Sequence, residues 1–107
     1  MMMILRDDAV IEVFDAPSQP PDWIEGIDIE NGEYQFCDDS GQRYVGEIIR
    51  PSGLFRQAKW QLQPEGIPDI KNALDLIAKA KTIEPNDRFP DLEALKRHTT
   101  TGGTVRR

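Results

Sequence analysis

The chain has 107 residues, 38% of them hydrophobic and 30% charged, with a formal net charge of −6. This length suits one domain of about 100 to 150 residues, which can bury a core without disulfides or metals. No apolar run approaches the ~18 residues of a membrane span, and the single Cys37 cannot form an internal disulfide. We therefore expect a cytoplasmic globular protein that does not contact a membrane.

The charge is divided unevenly along the chain. Residues 1–47 contain twelve acids against two arginines, a net charge of −10, and residues 48–107 contain seven acids against eleven lysines and arginines, a net charge of +4. An acidic surface repels phosphates and attracts basic partners. Direct nucleic-acid binding is therefore not expected, and the expected partner is a protein with a basic surface. In the alternative interpretation, the acids only keep a β-rich protein soluble and protect its sheet edges.

The N-terminal region predicts one strand, and it leaves undecided whether a second strand precedes it. Residues 10–14 are mostly branched or aromatic, which is typical of a strand. The apolar run from Met3 to Leu5 could pair back on it through residues 6–9, or could be a frayed start. Residues 16–21 include three prolines, which lack the N–H that a strand ladder requires. We expect a stiff connector there.

Between Trp23 and Gln63 apolar and polar residues alternate, and turn residues interrupt them near 31, 40 and 51. This pattern predicts an antiparallel β-meander. A type I′ turn at Asn31-Gly32 would place Ile29 opposite Tyr34 and Ile27 opposite Phe36. The residues then predicted to point outward include Asp28, Glu30, Glu33 and Cys37.

The second turn has two interpretations. A two-residue loop at Ser40-Gly41 puts Val45 opposite Phe36. A three-residue loop with Gly41 in a bulge turns Tyr44 and Ile48 inward instead.

The third turn decides between them. Residues 50–53 fit a type I turn, with proline at its second position and glycine at its fourth. This turn would pair Val45 with Ala58 and Glu47 with Arg56, combinations that stabilise a sheet. The pairing favours the two-residue loop and leaves Trp60 and Leu62 inward.

After Gly66 the apolar spacing becomes helical. Pro68 suits the first position of a helix, and Pro85 disfavours helix at the residue before it. We expect a helix over 68–83 that packs an apolar stripe on the sheet. The stripe consists of Ile67, Ile70, Leu74 and Ile77, widened by Ala73, Leu76 and Ala80.

A shorter helix is expected over 90–98, with acids in its first turn and basic residues in its last. Residues 99–107 have poor helix propensity and predict a mobile tail. The predicted fold is α+β: an antiparallel meander of four to five strands, one long C-terminal helix on its apolar face and a short second helix. Residues 1–98 form the predicted domain and 99–107 its flexible tail.

The sequence shows no catalytic motif, metal-ligand set or phosphate loop. His98, the only histidine, is interpreted as an exposed residue near a helix end. Cys37 is expected on the outward face among acids, which would raise its thiol pKa. The run from Asp38 to Gly41 begins like a calcium loop, but the glutamate required twelve positions along is Ile49. We expect no cofactor, no metal and no catalytic residue.

Three classes of function remain open. The first is a non-enzymatic protein-interaction or regulatory module that docks a basic partner through an acidic sheet face formed by Asp28, Glu30, Glu33, Asp38 and Asp39. The second is a small-ligand binding domain with a pocket between sheet and helix near Trp23, Tyr34 and Trp60. The third is a small enzyme with a site of Asp, Glu, Tyr and Arg side chains that no motif reveals.

Overall fold

The computed structural model describes residues 1–51, 53 and 59–102. These residues form a small α+β fold with a mixed six-stranded sheet, in the order β5-β4-β3-β1-β2-β6, and three helices. The fold class confirms the α+β prediction. The sheet is mixed, whereas a purely antiparallel meander was predicted. The elements are β1 Met2–Leu5, β2 Val10–Phe14, α1 Gly26–Glu30, β3 Gln35–Asp38, β4 Arg43–Arg50, β5 Lys59–Glu65, α2 Ile70–Ala78, β6 Thr82–Ile83 and α3 Leu92–Gly102.

The N-terminal run forms β1, a central strand of the sheet. β1 pairs antiparallel with β2 on one side and with β3 on the other. All four of its side chains are buried. A strand covered on both faces needs a continuous apolar sequence in place of alternation, and this is what residues 2–5 provide.

The sheet is covered on both faces, where the sequence predicted one. Met3 and Leu5 of β1 face α2 and α3, and Met2 and Ile4 face α1. Cluster 1, on the α2 and α3 side, comprises Met3, Leu5, Ile11, Cys37, Ala73, Leu76, Ile77, Ile83 and Leu95. Cluster 2, on the α1 side, comprises Met2, Ile4, Ile24, Ile29, Phe36 and Leu62.

The predicted hairpin at Asn31-Gly32 is wrong, because this dipeptide ends helix α1. Gly32 has φ +67°. Its N–H donates to the Ile29 carbonyl at 3.0 Å, and the Glu33 N–H donates to the Asp28 carbonyl at 3.1 Å. This pair of bonds is the Schellman motif of a helix C-terminus. Both a type I′ turn and this motif need positive φ at the glycine, so the same two residues fit either structure.

The second turn is the three-residue loop. Phe36 pairs with Tyr44, which turns Tyr44 toward cluster 2 and makes the favoured two-residue loop wrong. One Asp38 carboxylate oxygen accepts from the Ser40 N–H, the Ser40 hydroxyl and the Gln42 N–H, at 2.7 to 2.9 Å. Gly41 has φ +94°. A Cβ on Gly41 would lie 2.1 Å from a backbone oxygen just before α2, so this turn can touch α2 only with glycine.

The predicted pairing of β4 is also wrong. Val45 pairs with Gln63 and Glu47 with Gln61, not with residues 58 and 56. Ser52 of the third turn and residues 54–58 of the strand predicted to follow it lie outside the described residues. Within β5 the inward prediction is confirmed, since Leu62 is buried in cluster 2 and Trp60 packs against it.

The long helix is shorter than predicted. α2 begins after Asp69, whose side chain caps it by accepting from the Lys71 N–H, and it ends at Ala78. Residues 82–83 leave the predicted helix and form β6, which pairs parallel with β2. The buried stripe is also rotated: Ala73, Leu76 and Ile77 are buried, Leu74 is only partly buried and Ile67 is 86% exposed.

The last helix is longer than predicted. α3 extends from Leu92 to Gly102, so the predicted end at His98 is wrong. Thr99 is buried because it lies one turn after the buried Leu95, on the same side of the helix. Residues 103–107 of the predicted tail lie outside the described residues, and the division of the chain at residue 98 stays a prediction.

The helix that joins cluster 1 gives a stability test. Leu76→Ala should lower the free energy of unfolding by about 2 to 5 kcal/mol, because truncating a buried leucine leaves a cavity. Ile67→Ala is the matched control: its side chain is exposed and its loss should change stability by less than about 0.5 kcal/mol. Urea denaturation of both variants measures this, and equal losses would contradict the assignment of the buried stripe.

Candidate functional site

Net negative charge is concentrated on the side of the sheet that α1 covers. We call residues 22–33, which contain α1, the α1 surface. It carries five acidic residues and no lysine or arginine. Residues 68–102, which contain α2 and α3, carry six acidic and six basic residues. Because α1 and the other two helices cover opposite faces, the asymmetry along the chain becomes an asymmetry between faces.

Two large apolar side chains lie exposed within the α1 surface. Trp23 is 40% exposed and Ile27 is 52% exposed. Their neighbours Ile24 and Ile29 are buried in cluster 2 and hold the segment on the sheet. The residues of this surface therefore combine a net negative charge with exposed apolar area on an anchored backbone.

Contact with β4 fixes the position of α1. A Cβ built on Gly46 would lie 2.4 Å from a side-chain methyl carbon of Ile29. Only glycine leaves room for the helix at this distance. Gly26, the first residue of α1, is buried as well. The close approach of α1 to the sheet thus depends on the glycine at position 46 of β4.

The structure separates the five carboxylates predicted to form one face. Asp28 lies in α1 and accepts a hydrogen bond from the Tyr34 hydroxyl at 3.2 Å, and Glu30 and Glu33 lie at the end of this helix. Asp38 is the last residue of β3 and Asp39 follows it, so both lie at the far end of this strand, roughly 10 Å from its start. The first three belong to the α1 surface and the last two to the β3–β4 turn.

Asp39 connects that turn to α3. Its carboxylate lies 2.9 Å from Nε2 of His98 and 3.4 Å from the Met1 ammonium nitrogen. Burial raises the pKa of Asp39, but the hydrogen bond with His98 and the nearby ammonium group outweigh it, so that the pKa lies below its usual value. The His98 ring also lies 5.2 Å from the ring of Phe89, between centroids. Asp39 and His98 are thus in a tertiary contact that the sequence did not predict.

Two of the three predicted pocket aromatics meet. The rings of Trp23 and Tyr34 are in edge-to-face contact, with centroids 5.5 Å apart. Trp23 donates its Nε1–H to Glu12 at 2.9 Å, and the Arg6 guanidinium lies 5.7 Å from its ring centroid. Trp60 lies in β5, at the far edge of the sheet from these partners. Trp23 and Tyr34 are thus in contact, and a pocket that they share with Trp60 stays a prediction.

A cleft of 570 Å³ opens between α2 and strands β3 to β5. Tyr34 lines it, but Trp23 and Trp60 do not. The charged lining residues are Arg43, Lys79, Glu65 and Asp75. Sequence reasoning missed these four, because their proximity depends on where α2 crosses the sheet and no local pattern encodes that position.

Cys37 faces the cleft and cluster 1, not the outward face where it was predicted. Burial, followed by the nearby Asp38 carboxylate, raises the pKa of Cys37 to about 12. Its thiol donates to the Asp38 carbonyl at 3.3 Å. A thiol with this pKa is almost entirely protonated at neutral pH and is a poor nucleophile. The predicted direction of the shift holds, with burial as its main cause.

The described part of the chain contains neither a metal-binding cluster nor a membrane-spanning helix. Across residues 1–51, 53 and 59–102, no three His, Cys, Asp or Glu side chains are grouped to hold a metal ion. Nor is any helix in these ranges long and apolar enough to cross a bilayer. The Asp38 oxygen that a calcium loop would use is occupied by three donors of its own turn.

No family model, curated protein or solved structure matches this chain. Its function has to be inferred from its own surface chemistry.

The buried thiol predicts slow labelling. With a thiol-specific reagent near pH 8, native Cys37 should react orders of magnitude more slowly than the denatured protein, because it is buried and its thiolate is scarce. The variant Gln61→Cys adds an exposed thiol on β5 as a control, and that thiol should react at once. Rapid labelling of Cys37 in the native wild type would contradict the burial and the raised pKa.

The Asp39 contact predicts a pH-dependent contribution to stability. A carboxylate whose pKa is lower in the folded state contributes stability that is fully present above its unfolded pKa of about 3.9 and is lost as the pH falls through the folded value. The difference in unfolding free energy between wild type and Asp39→Asn should therefore shrink between about pH 5 and pH 2. A difference that stays constant over this range would contradict the interaction.

Proposed function

We propose that this protein is a non-enzymatic binding module that docks a basic protein through its α1 surface. The observation that carries the proposal is the composition of that surface: five acids, no basic residue, and the exposed side chains of Trp23 and Ile27. Asp28, Glu30 and Glu33 of the predicted site belong to it.

The two components of the surface have different physical roles. Clustered charge speeds encounter with an oppositely charged partner and selects against acidic ones. Affinity at protein interfaces comes mostly from a few buried anchors, among which tryptophan is enriched. Trp23 and Ile27 are the available anchors, and a suitable partner would offer an apolar pocket rimmed by lysine and arginine.

The backbone under these anchors is held in place before binding. The Schellman motif closes the end of α1, and the contact of Ile29 with Gly46 fixes its distance from the sheet. A partner therefore loses little affinity to ordering this surface. Asp28 already accepts from Tyr34, so its main contribution is to the structure of the surface.

A second candidate is binding of a small ligand in the cleft beside α2. Its volume of 570 Å³ lies within the range of about 300 to 1,000 Å³ of ligand sites. Two cationic and two anionic side chains line it, a composition suited to a small zwitterion. Chemical shift changes confined to Arg43, Glu65, Asp75 and Lys79 on addition of a ligand would support it.

Charge reversal at two matched sites tests the docking proposal. One variant carries lysine at three exposed positions of the α1 surface: Glu25, Glu30 and Glu33. The control carries lysine at three exposed positions outside the α1 surface: Asp75, Asp87 and Glu93. Each changes the net charge by +6, so any difference between them reports position and not total charge.

Wild type and both variants are immobilised and exposed to an extract of the native host, and the retained protein is purified and titrated. The proposal predicts one basic partner that wild type and the control retain and the α1 variant loses. Its affinity should fall as salt rises, since exposed charges are screened over ~10 Å at about 0.1 M. A partner retained equally by all three proteins, or lost only from the control, would contradict the proposal.

A further inference from the structure

The outer edge of β5 has no partner in the part of the chain that the structure describes. β5 is the last strand of the sheet order and runs for seven residues, Lys59–Glu65, whereas the opposite edge strand β6 has two. An edge strand presents a row of unpaired N–H and C=O groups that can pair with another chain. The seven residues of β5 therefore offer an edge long enough to pair with a strand of another chain.

The pairing pattern shows which groups point outward. Pairs in an antiparallel ladder alternate between exchanging and not exchanging hydrogen bonds. The Asp38 N–H donates to the Gln42 carbonyl, so the Phe36–Tyr44 pair, two residues along, also exchanges bonds. Tyr44 therefore directs its backbone groups to β3 and away from its β5 neighbour Pro64, which has no N–H to offer.

The alternation continues along β5. Gln61, Gln63 and Glu65 bond to β4, and the backbone groups of Trp60, Leu62 and Pro64 face the open edge. The open edge therefore offers the N–H groups of Trp60 and Leu62 and the carbonyls of all three residues.

The sequence of β5 is complementary to itself about Leu62. It reads Lys-Trp-Gln-Leu-Gln-Pro-Glu. Paired antiparallel with an identical strand and centred on Leu62, Lys59 lies opposite Glu65, Trp60 opposite Pro64, and Gln61 opposite Gln63. Opposite-charge pairs across strands stabilise a sheet, and like charges destabilise it. Neither Lys59 nor Glu65 has an ion pair within its own described chain.

We infer that two copies of this chain associate by antiparallel pairing of their β5 strands, centred on Leu62. The two Leu62 residues exchange both hydrogen bonds. The backbone N–H of each Trp60 donates to the Pro64 carbonyl of the second copy. Two Lys59–Glu65 pairs close the interface at its ends, and the two sheets become one continuous sheet of twelve of the described strands.

The symmetry of this pairing has a consequence that rests on the proposed function. A two-fold axis perpendicular to the joined sheet keeps equivalent faces on the same side. Both α1 surfaces would then face the same way, and a partner with two basic sites could contact both at once. Such bivalent contact raises overall affinity without any new contact type.

A charge swap tests the register in the full chain. Sedimentation velocity should show wild type converting from monomer to dimer as its concentration rises toward millimolar. Lys59→Glu and Glu65→Lys should each raise the dissociation constant about tenfold or more, since each places like charges together at two positions. The double variant K59E/E65K should restore the wild-type constant. A wild type that stays monomeric, or a double variant no better than the singles, would overturn the inference.

Cross-linking gives a second readout that does not depend on charge. Gln61 and Gln63 of two copies should face each other with Cα atoms about 4.5 Å apart, within the range for a disulfide. Mixing Gln61→Cys with Gln63→Cys under mild oxidation should therefore give a disulfide-linked heterodimer far faster than either variant alone gives a homodimer. Equal rates would overturn the register. Both readouts are independent of any basic partner, so failure of this inference is distinguishable from failure of the docking proposal.

Discussion

The burial of β1 on both faces is the constraint on which the rest of the structure depends. Met2 and Ile4 lie under α1, and Met3 and Leu5 lie under α2 and α3. Fully burying side chains of this size contributes about 1.5 to 3 kcal/mol each. Four residues therefore join two layers that would otherwise be separate, and β2 and β3 are positioned by pairing with this strand.

The division of charge between the two faces follows from this arrangement. The chain passes once under the sheet, through the acidic segment that holds α1, and returns to the other face for α2 and α3. Trp23 and Ile27 stay exposed on the acidic side because Ile24 and Ile29 supply the contacts that hold the segment down. The binding surface we propose is thus a consequence of how the second face of the sheet is covered.

Local patterns predicted the elements that depend on local chemistry. Strand β2, the inward side of β5, and the presence of α2 and α3 could all be predicted from branched runs, alternation and helical spacing. The hairpin predicted at Asn31-Gly32 was wrong, because a glycine at positive φ fits a hairpin turn and a helix C-terminus equally well. In the structure the segment is helical and packs Ile29 against Gly46 of β4, a long-range contact that the local pattern does not encode.

Long-range contacts decide the features that the sequence left open or misplaced. β6 is two residues long and exists only because β2 lies beside it. At the candidate sites, the Trp23–Tyr34 contact joins two of the three residues that were predicted to line a ligand pocket. The distance of Trp60 from that pair follows from sheet order, which no local pattern encodes. Asp38 and Asp39 looked available for a partner, but they are engaged by their own turn and by α3.

Native-state hydrogen exchange, resolved by residue, tests the central role of β1 most directly. If β1 joins the two layers, its amides should exchange only through global unfolding, with a protection free energy equal to the full stability of the domain. The amides of β6 should exchange faster, through local opening. Exchange from β1 that is as fast as exchange from β6 would contradict the account, because it would show that the two layers separate without unfolding the protein.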